Sequence, residues 1–142
     1  MTSIDTRELT MHAWKIFSTR DREQIAALFT DGAEWIAPEG NATAVALDFT
    51  NHMVGAKQIA QFIAVEFHKM FRDATMQFRT IRAAGDIAIV EERMQATLSN
   101  GRIYDNDYCF VFEFEGGLIR QVREYMDTRR GWNMVFGANA SA

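Results

Sequence analysis

The chain has very little cysteine and proline. Cys109 is the only cysteine and Pro38 the only proline among 142 residues. A single cysteine excludes an internal disulfide and is typical of a reducing compartment. With so little proline and eleven phenylalanines, the composition favours uninterrupted helices and strands around an aromatic interior.

Long apolar runs and an excess of positive charge are also missing. No run approaches the roughly 20 residues of a membrane span, and the first residues lack the basic stretch and apolar run of a secretion signal. The net charge is −4, which argues against nucleic acid and anionic membranes as partners. We therefore expect a cytoplasmic protein that binds neither nucleic acid nor membrane.

Metal-binding and phosphate-binding patterns are absent as well. The three histidines, His12, His52 and His68, have no spacing typical of metal ligands. The glycines fall at turns rather than in a phosphate-binding loop. We expect no metal and no cofactor.

The length predicts one domain over residues 1–142, with 129–142 as a C-terminal tail whose small-residue end frays. Helical spacing of apolar residues predicts a first helix over 5–18, capped by Asp5 or Thr6. A second helix is predicted from the N-cap Asp21 to Asp31-Gly32, where glycine can end it.

A third helix is predicted from Gly55-Ala56 to about Phe71, because apolar residues recur there at helical spacing. Between the second and third helices, 33–37 is predicted to be a short strand. The stretch 41–54 has no clear period and is predicted to be a loop or flap, with a short strand at 44–49.

The second half of the chain predicts an antiparallel meander. Alternating residues and turn dipeptides predict strands over about 74–84, 86–98, 102–115 and 118–128, joined at Gly85-Asp86, Asn100-Gly101 and Gly116-Gly117. Helices followed by long strands predict an α+β fold, with three N-terminal helices packed on a strongly curved antiparallel sheet.

The period of two sorts the strand side chains onto two faces. Tyr108, Phe110, Phe112 and Phe114 share a face that we assign to the concave side. On the strand before, parity leaves both assignments open: Glu91, Arg93 and Gln95 share one face, and Val90, Glu92 and Met94 share the other.

Glu124 is the most informative residue. It shares a strand face with the apolar Val122 and Met126. A buried carboxylate costs several kcal/mol unless it is paired or protonated, so this residue is either part of a structural ion pair or a functional group. We place the chemistry here.

The order of elements resembles the cone-shaped family of nuclear transport factor two, ketosteroid isomerase and the SnoaL-like polyketide cyclases, whose fold is a cystatin-like roll. The most recognisable segments are 21–29, 34–38, Gly55-Ala56 and 117–127. The last segment is similar to the SnoaL-like and ketosteroid-isomerase-related branch. The fold alone does not specify the reaction.

The ketosteroid isomerases place a general-base Asp, a helix Tyr and a second Asp at positions that correspond to Ala37, Ala13 and Phe110 here. All three functional groups are missing, so that mechanism is not expected.

Limonene epoxide hydrolase is more similar in local sequence. Its Arg-Asp-Tyr run resembles Arg123-Glu124-Tyr125, and its Glu-Arg-Val-Asp run resembles 92–95. That family has an Asp-Arg-Asp network in its pocket. By resemblance, Glu124 corresponds to one Asp and Arg93 to the Arg, whereas Gln95 stands in place of the second Asp. The Tyr and Asn that hold the attacking water in that family correspond to Trp35 and Ala37 here. Standard epoxide hydrolysis is therefore not expected either.

We therefore predict Glu124 and Arg93 as the catalytic pair in a mostly apolar pocket. The residues predicted to bind substrate are Trp35, Phe62, Gln95, Asn106, Tyr108, Phe110, Phe112 and Met126. Whether Glu91, His12 or His52 joins the site stays open, as does the role of 41–54.

The first hypothesis for function is a cofactor-free acid/base enzyme of isomerase, cyclase, dehydratase or epoxide hydrolase type, acting on a small hydrophobic molecule. The alternatives are a non-catalytic protein that binds such a molecule, and a dimeric interaction module. The resemblance also implies a homodimer through the convex sheet face, which we expect to carry Val90, Met94, Val111 and Tyr125.

Overall fold

A strongly curved six-stranded sheet organises the fold. The computed structural model describes residues 3–137, with side chains from residue 5 onward. The strand order is β2-β1-β6-β5-β4-β3, and every pairing is antiparallel except the parallel pair of β1 with β6. The strands are β1 (Phe29–Ile36), β2 (His52–Val54), β3 (Phe71–Ala84), β4 (Ile87–Leu98), β5 (Ile103–Glu115) and β6 (Leu118–Met126).

Helices cover the concave face of this sheet. They are α1 (Ser3–Phe17), α2 (Arg22–Ala26), α3 (Ala42–Leu47), α4 (Ala56–Gln61), a π-helical segment (Phe62–Glu66), α5 (Phe67–Met70) and α6 (Thr128–Phe136). The α+β class, the curved sheet and the helical layer are confirmed. None of the helices described here is long and apolar enough to cross a membrane.

The meander from β3 to β6 forms as predicted, and its three turns lie at the predicted glycines. Gly85, Gly101, Gly116 and Gly117 all have positive φ, a conformation that glycine adopts without the steric cost of a Cβ atom. The third predicted helix is also confirmed, but its centre is π-helical and α5 passes directly into β3 at Phe71. π-Helical turns are rare and are often found at functional sites.

The predicted end of the second helix is wrong. Asp21 caps α2 as expected, its Oδ1 accepting hydrogen bonds from the backbone N–H groups of Glu23 and Gln24. However, α2 ends at Ala26, and Asp31 and Gly32 lie within β1. The register of β1 against β6 shifts between Phe29 and Glu34, so the glycine marks an irregularity in the strand and not the end of a helix.

The predicted loop or flap over 41–54, with its short strand at 44–49, is wrong as well. It contains α3, capped by Asn41, whose Oδ1 accepts from the backbone N–H of Ala44 at 3.1 Å. Asp48 ends the helix in the left-handed conformation, and β2 follows where no strand was predicted. At the start of α1, neither Asp5 nor Thr6 is the cap, because the helix already begins at Ser3.

The predicted C-terminal tail contains a helix, α6. Asp127 caps it by accepting a hydrogen bond from the backbone N–H of Arg130 at 2.9 Å. The predicted fraying of the small-residue end concerns residues 138–142, which lie outside the described residues.

Close packing of α6 on β5 requires a glycine. A Cβ atom at Gly131 would lie 3.2 Å from Asn106 Nδ2 and 3.3 Å from Tyr104 Oη. Both side chains are fully buried and hydrogen-bonded to each other, so neither can move aside freely.

We therefore expect Gly131→Ala to lower the free energy of unfolding by about 1 kcal/mol, although alanine favours a helix by a similar amount. Urea denaturation measures this change. Asn133→Ala, in the same helix but at a half-buried position, is the control and should be neutral or stabilising. An equal gain in stability from both variants would contradict the packing argument.

Candidate functional site

A cavity of about 690 Å³ lies between the helices and the inner face of the sheet. Its buried wall is mainly aromatic and apolar. Trp35, Phe62, Tyr108 and Phe110 line it as predicted, together with Trp14, Phe17, Met53, Phe67, Phe71 and Met94. Besides Met53, five residues of the predicted flap line the cavity: Asn41, Thr43, Ala44, Thr50 and Asn51. A cavity of this size and apolar character is typical of small-molecule sites.

Glu124 projects into this cavity from β6, as predicted. Parallel pairing sets Trp35 of β1 beside Val122 of β6, and the indole Nε1–H donates a hydrogen bond to Glu124 Oε1 at 2.8 Å. Within residues 5–137 no other group hydrogen-bonds to this carboxylate. Removal from water raises the pKa of Glu124 to about 7, and the Trp35 hydrogen bond acts in the opposite direction.

A second carboxyl group, Glu92 of β4, also lines the cavity, and sequence reasoning did not assign it a role. Glu92 is only 3% exposed. Its Oε2 is buried without a hydrogen-bond partner among the described residues. Burial, followed by the negative charge of Glu124, raises the pKa of Glu92 to about 8. The two carboxyls flank β5, where Glu92 pairs with Tyr108 and Glu124 with Phe110.

The predicted pairing of Glu124 with Arg93 is wrong. Arg93 lies on the outer face of β4, where its guanidinium binds Asp105 of β5 at 2.6 and 2.9 Å and Asp107 at 3.0 Å. The inner face of β4 carries the other parity set, Val90, Glu92 and Met94. A one-residue difference in register moves every side chain of a strand to the opposite face, so Glu92 occupies the place expected for Arg93.

Six of the predicted pocket residues divide into three that line the cavity and three that do not. Gln95 is exposed on the outer face and Phe112 is fully buried behind the wall, packed against Trp14 and Trp35. Met126 is half-buried against the core. None of these three lines the cavity, whereas Phe62, Tyr108 and Phe110 do.

Asn106 is buried behind the cavity rather than exposed in it. Its Nδ2 donates to Tyr104 Oη at 3.2 Å and to the backbone carbonyl of Asp127 at 3.0 Å. Tyr104 in turn shares a 2.6 Å hydrogen bond with Tyr108. Burial raises the pKa of Tyr108 well above its usual value. Asn106 therefore positions the Tyr108 hydroxyl through Tyr104.

Among the residues left open, none enters the cavity. Glu91 is exposed and accepts a hydrogen bond from Thr80, and His12 is exposed on α1. His52 binds Glu34 at 2.5 Å on the exposed side of β1 and β2. The histidine that does line the cavity is His68, for which the sequence indicated no role. Its side chain is half-buried.

The convex face differs from its predicted composition. Val90 and Met94 are buried on the inner side, so of the expected residues only Val111 and Tyr125 face outward. Ile87 and Ile89 are exposed there instead. The homodimer through this face stays a prediction.

Trp35→Phe tests the hydrogen bond to Glu124 directly. It keeps the aromatic wall but removes the indole N–H, which favours the ionised carboxylate. We therefore expect the pKa of Glu124 to rise above about 7 in this variant. Titration of the Glu124 side-chain carbon by NMR measures it. Trp132→Phe, in α6 and away from the cavity, is the matched control; an unchanged Glu124 pKa in Trp35→Phe would contradict this geometry.

Comparison with known proteins agrees with this architecture. Solved structures described as NTF2-like share the fold. The sequence of residues 11–122 matches the family model of the SnoaL-like domain. The protein belongs to this family, which includes cyclases, isomerases and epoxide hydrolases. No curated protein sequence matches the chain.

Three solved structures illustrate the similarity. An NTF2-like protein of unknown function from Burkholderia pseudomallei K96243 superposes with a TM-score of 0.80 at 16% identity, over 93% of this chain and 98% of the other. A putative SnoaL-like polyketide cyclase from Jannaschia sp. CCS1 gives 0.77 at 14%, over 99% and 96%. An LEH-like epoxide hydrolase from M. tuberculosis gives 0.69 at 15%, over 94% and 90%. At such identities the likeness establishes the fold alone.

Proposed function

We propose that this protein is a cofactor-independent acid/base enzyme that moves a proton on a small, largely apolar molecule bound in the cavity. The observation that carries the proposal is the pair of carboxyl groups, Glu124 and Glu92, that line one apolar cavity with raised pKa values of about 7 and about 8. Carboxyls with such pKa values are suited to general acid/base catalysis near neutral pH.

The two carboxyls differ in their surroundings, and this difference gives them different roles. Between the two pKa values Glu124 is mostly ionised, held by Trp35, and Glu92 is mostly protonated. Glu124 therefore acts as the base and Glu92 as the acid, as expected when environments separate the pKa values of paired carboxyls.

For a carbonyl substrate, the reaction begins when the Glu124 carboxylate takes a proton from the carbon next to the carbonyl. Glu92 donates its proton to the carbonyl oxygen, and the product is an enol. When the substrate has a carbon–carbon double bond next to the deprotonated carbon, this enol is a dienol. Return of the proton from Glu124 to the far carbon of that double bond, with return of the enol proton to Glu92, moves the double bond into conjugation with the carbonyl and restores both groups.

Two orphaned polar atoms support a polar contact with the ligand. Trp14 Nε1 and Glu92 Oε2 belong to residues that line the cavity, and both atoms are buried without a partner among the described residues. Such groups carry a desolvation penalty until a ligand or water meets them. A hydroxyl or carbonyl on the substrate satisfies this requirement.

Deuterium exchange tests the proposal without knowledge of the natural substrate. Wild-type protein is incubated in heavy water with a panel of apolar cyclic ketones, and incorporation next to the carbonyl is measured by mass spectrometry. We expect exchange that is faster than in buffer and is lost in Glu124→Gln. Tight ketone binding with no exchange in any member would favour the second candidate, a non-catalytic binding protein, which the large aromatic cavity also supports.

A further inference from the structure

The mouth of the cavity carries positively charged side chains that the proposed chemistry does not use. Exposed residues of the lining define this mouth, and they include Lys15 and Arg20, from α1 and the turn after it. Neither side chain makes an ion pair or a hydrogen bond within residues 5–137. No carboxylate of the described residues forms an ion pair with either cation, so both charges are available to a ligand.

The backbone at Arg20 is unusual. Its φ is 60°, and only two other non-glycine residues, Asp48 and Asp73, have positive φ among those described. This left-handed position after a helix is usually occupied by glycine, which adopts it without steric cost. An arginine held there at the edge of a cavity is the kind of local strain that is often found at functional sites.

His68 of α5 adds a polar group beside these two cations. Burial, followed by the positive charge of Arg20, lowers the pKa of His68. The ring is therefore neutral at physiological pH and offers a hydrogen bond without a charge. Asp73 is the one carboxylate at the mouth, and it is exposed. Two cations against one anion leave the mouth positive on a chain whose net charge is −4.

The charges also set a direction along the cavity. On the cavity wall the ionised Glu124 repels an anion, whereas Lys15 and Arg20 attract one at the mouth. Attraction at one end and repulsion at the other orient an asymmetric ligand.

We propose that the substrate is an amphipathic monoanion, whose anionic group, such as a carboxylate, binds Lys15 and Arg20 at the mouth. Its apolar body then fills the aromatic cavity, and its reactive, uncharged end reaches Glu124 and Glu92. This inference rests on the proposed function only in assigning the ligand to the same cavity. It concerns binding, so it holds or fails without measurement of turnover.

A matched pair of fluorescent probes tests it. Anilinonaphthalene sulfonate and phenylnaphthylamine share one apolar skeleton and differ by a single sulfonate group. Each is titrated against wild-type protein, Lys15→Gln/Arg20→Gln, and the control Lys57→Gln/Arg129→Gln, which removes the same charge from exposed sites elsewhere. Mutual displacement of the probes establishes that they share the cavity.

We expect the Lys15→Gln/Arg20→Gln variant to bind the sulfonate probe about tenfold more weakly and the neutral probe within about twofold of wild type. The control variant should bind both as wild type does. Asp73→Asn should tighten sulfonate binding by about twofold, and salt near 0.5 M should weaken only the sulfonate probe.

Equal effects on the two probes, or none on the sulfonate probe, would overturn the inference and leave the proposed function intact. If sulfonate discrimination holds but no substrate in the deuterium panel exchanges, the proposed acid/base function fails and the anion site stands. If neither probe binds wild-type protein, the inference is overturned, and the deuterium exchange panel alone decides the proposed function.

Discussion

Glu124→Gln is expected to lower the rate of proton transfer by roughly a hundredfold to ten-thousandfold, because general acid/base groups contribute about that much. Glutamine keeps the shape of the side chain and can still accept a hydrogen bond from Trp35, so ligand affinity should change little. Exchange rates and Kd values for the same ketone measure the two effects separately. Glu91→Gln, an identical substitution on the exposed face of β4, is the matched control and should leave both unchanged.

The pH dependence of the wild-type rate belongs to the same prediction. The base must be ionised and the acid protonated, so the rate should rise as pH passes about 7 and fall beyond about 8. The two steps belong to the pair, because the charge on each carboxyl affects the other. A rate that is flat from about pH 5 to about pH 9 would mean that neither carboxyl takes part in the reaction.

The second large effect concerns stability. Glu92 has an ordinary pKa near 4.5 when unfolded and about 8 when folded. Between these values the folded protein holds a proton that the unfolded chain releases, so rising pH lowers the free energy of unfolding across this window. Glu92→Gln removes this dependence, since glutamine stays neutral at every pH.

We therefore expect Glu92→Gln to gain stability relative to wild type as pH rises from about 5 to about 9, by on the order of 4 kcal/mol. Urea denaturation at several pH values measures the difference between variant and wild type, which cancels the contributions of titrating groups that do not interact with Glu92; the interaction with Glu124 stays in the difference. The same series on Glu91→Gln should be flat. A Glu92→Gln difference that does not vary with pH would mean that Glu92 ionises normally in the folded protein.

The sequence predicted the cone fold because its strongest local signals agree with one another. The glycine turns and long alternating strands fixed β3 to β6, and the parity of β5 and β6 placed Tyr108, Phe110 and Glu124 on the inner face. A carboxylate between two apolar neighbours was a reliable indication of the cavity.

The missed residues have two physical causes. On β4 both faces mix charged and apolar side chains, and Ile89 is 45% exposed while Glu92 is 3% exposed. Apart from Glu92, the inner set is apolar, namely Ala88, Val90, Met94, Ala96 and Leu98, so the alternation favoured the observed face. Local resemblance nevertheless assigned the wrong parity to Arg93. Helix α3 has only six residues, too few to show a helical period, although Asn41 before an alanine-rich stretch was an available capping signal.

Segments far apart in the chain also build the site, and no local pattern reveals such contacts. Trp35 and Glu124 are 89 residues apart in the chain and hydrogen-bonded in the fold. His68 lines the cavity because α5 leads directly into β3, and no pattern in the local sequence indicates this position.

The central claim is that one apolar cavity holds two carboxyls that titrate near neutral pH. The most direct measurement is an NMR titration of the glutamate side-chain carbons in wild-type protein, with Glu92→Gln and Glu124→Gln used to assign the two signals. We expect two glutamates that titrate at about 7 and about 8. Two signals that titrate near the ordinary value of 4.5 would contradict this claim. Carboxyl groups with normal pKa values would both be ionised at neutral pH, and neither could serve as the proposed acid.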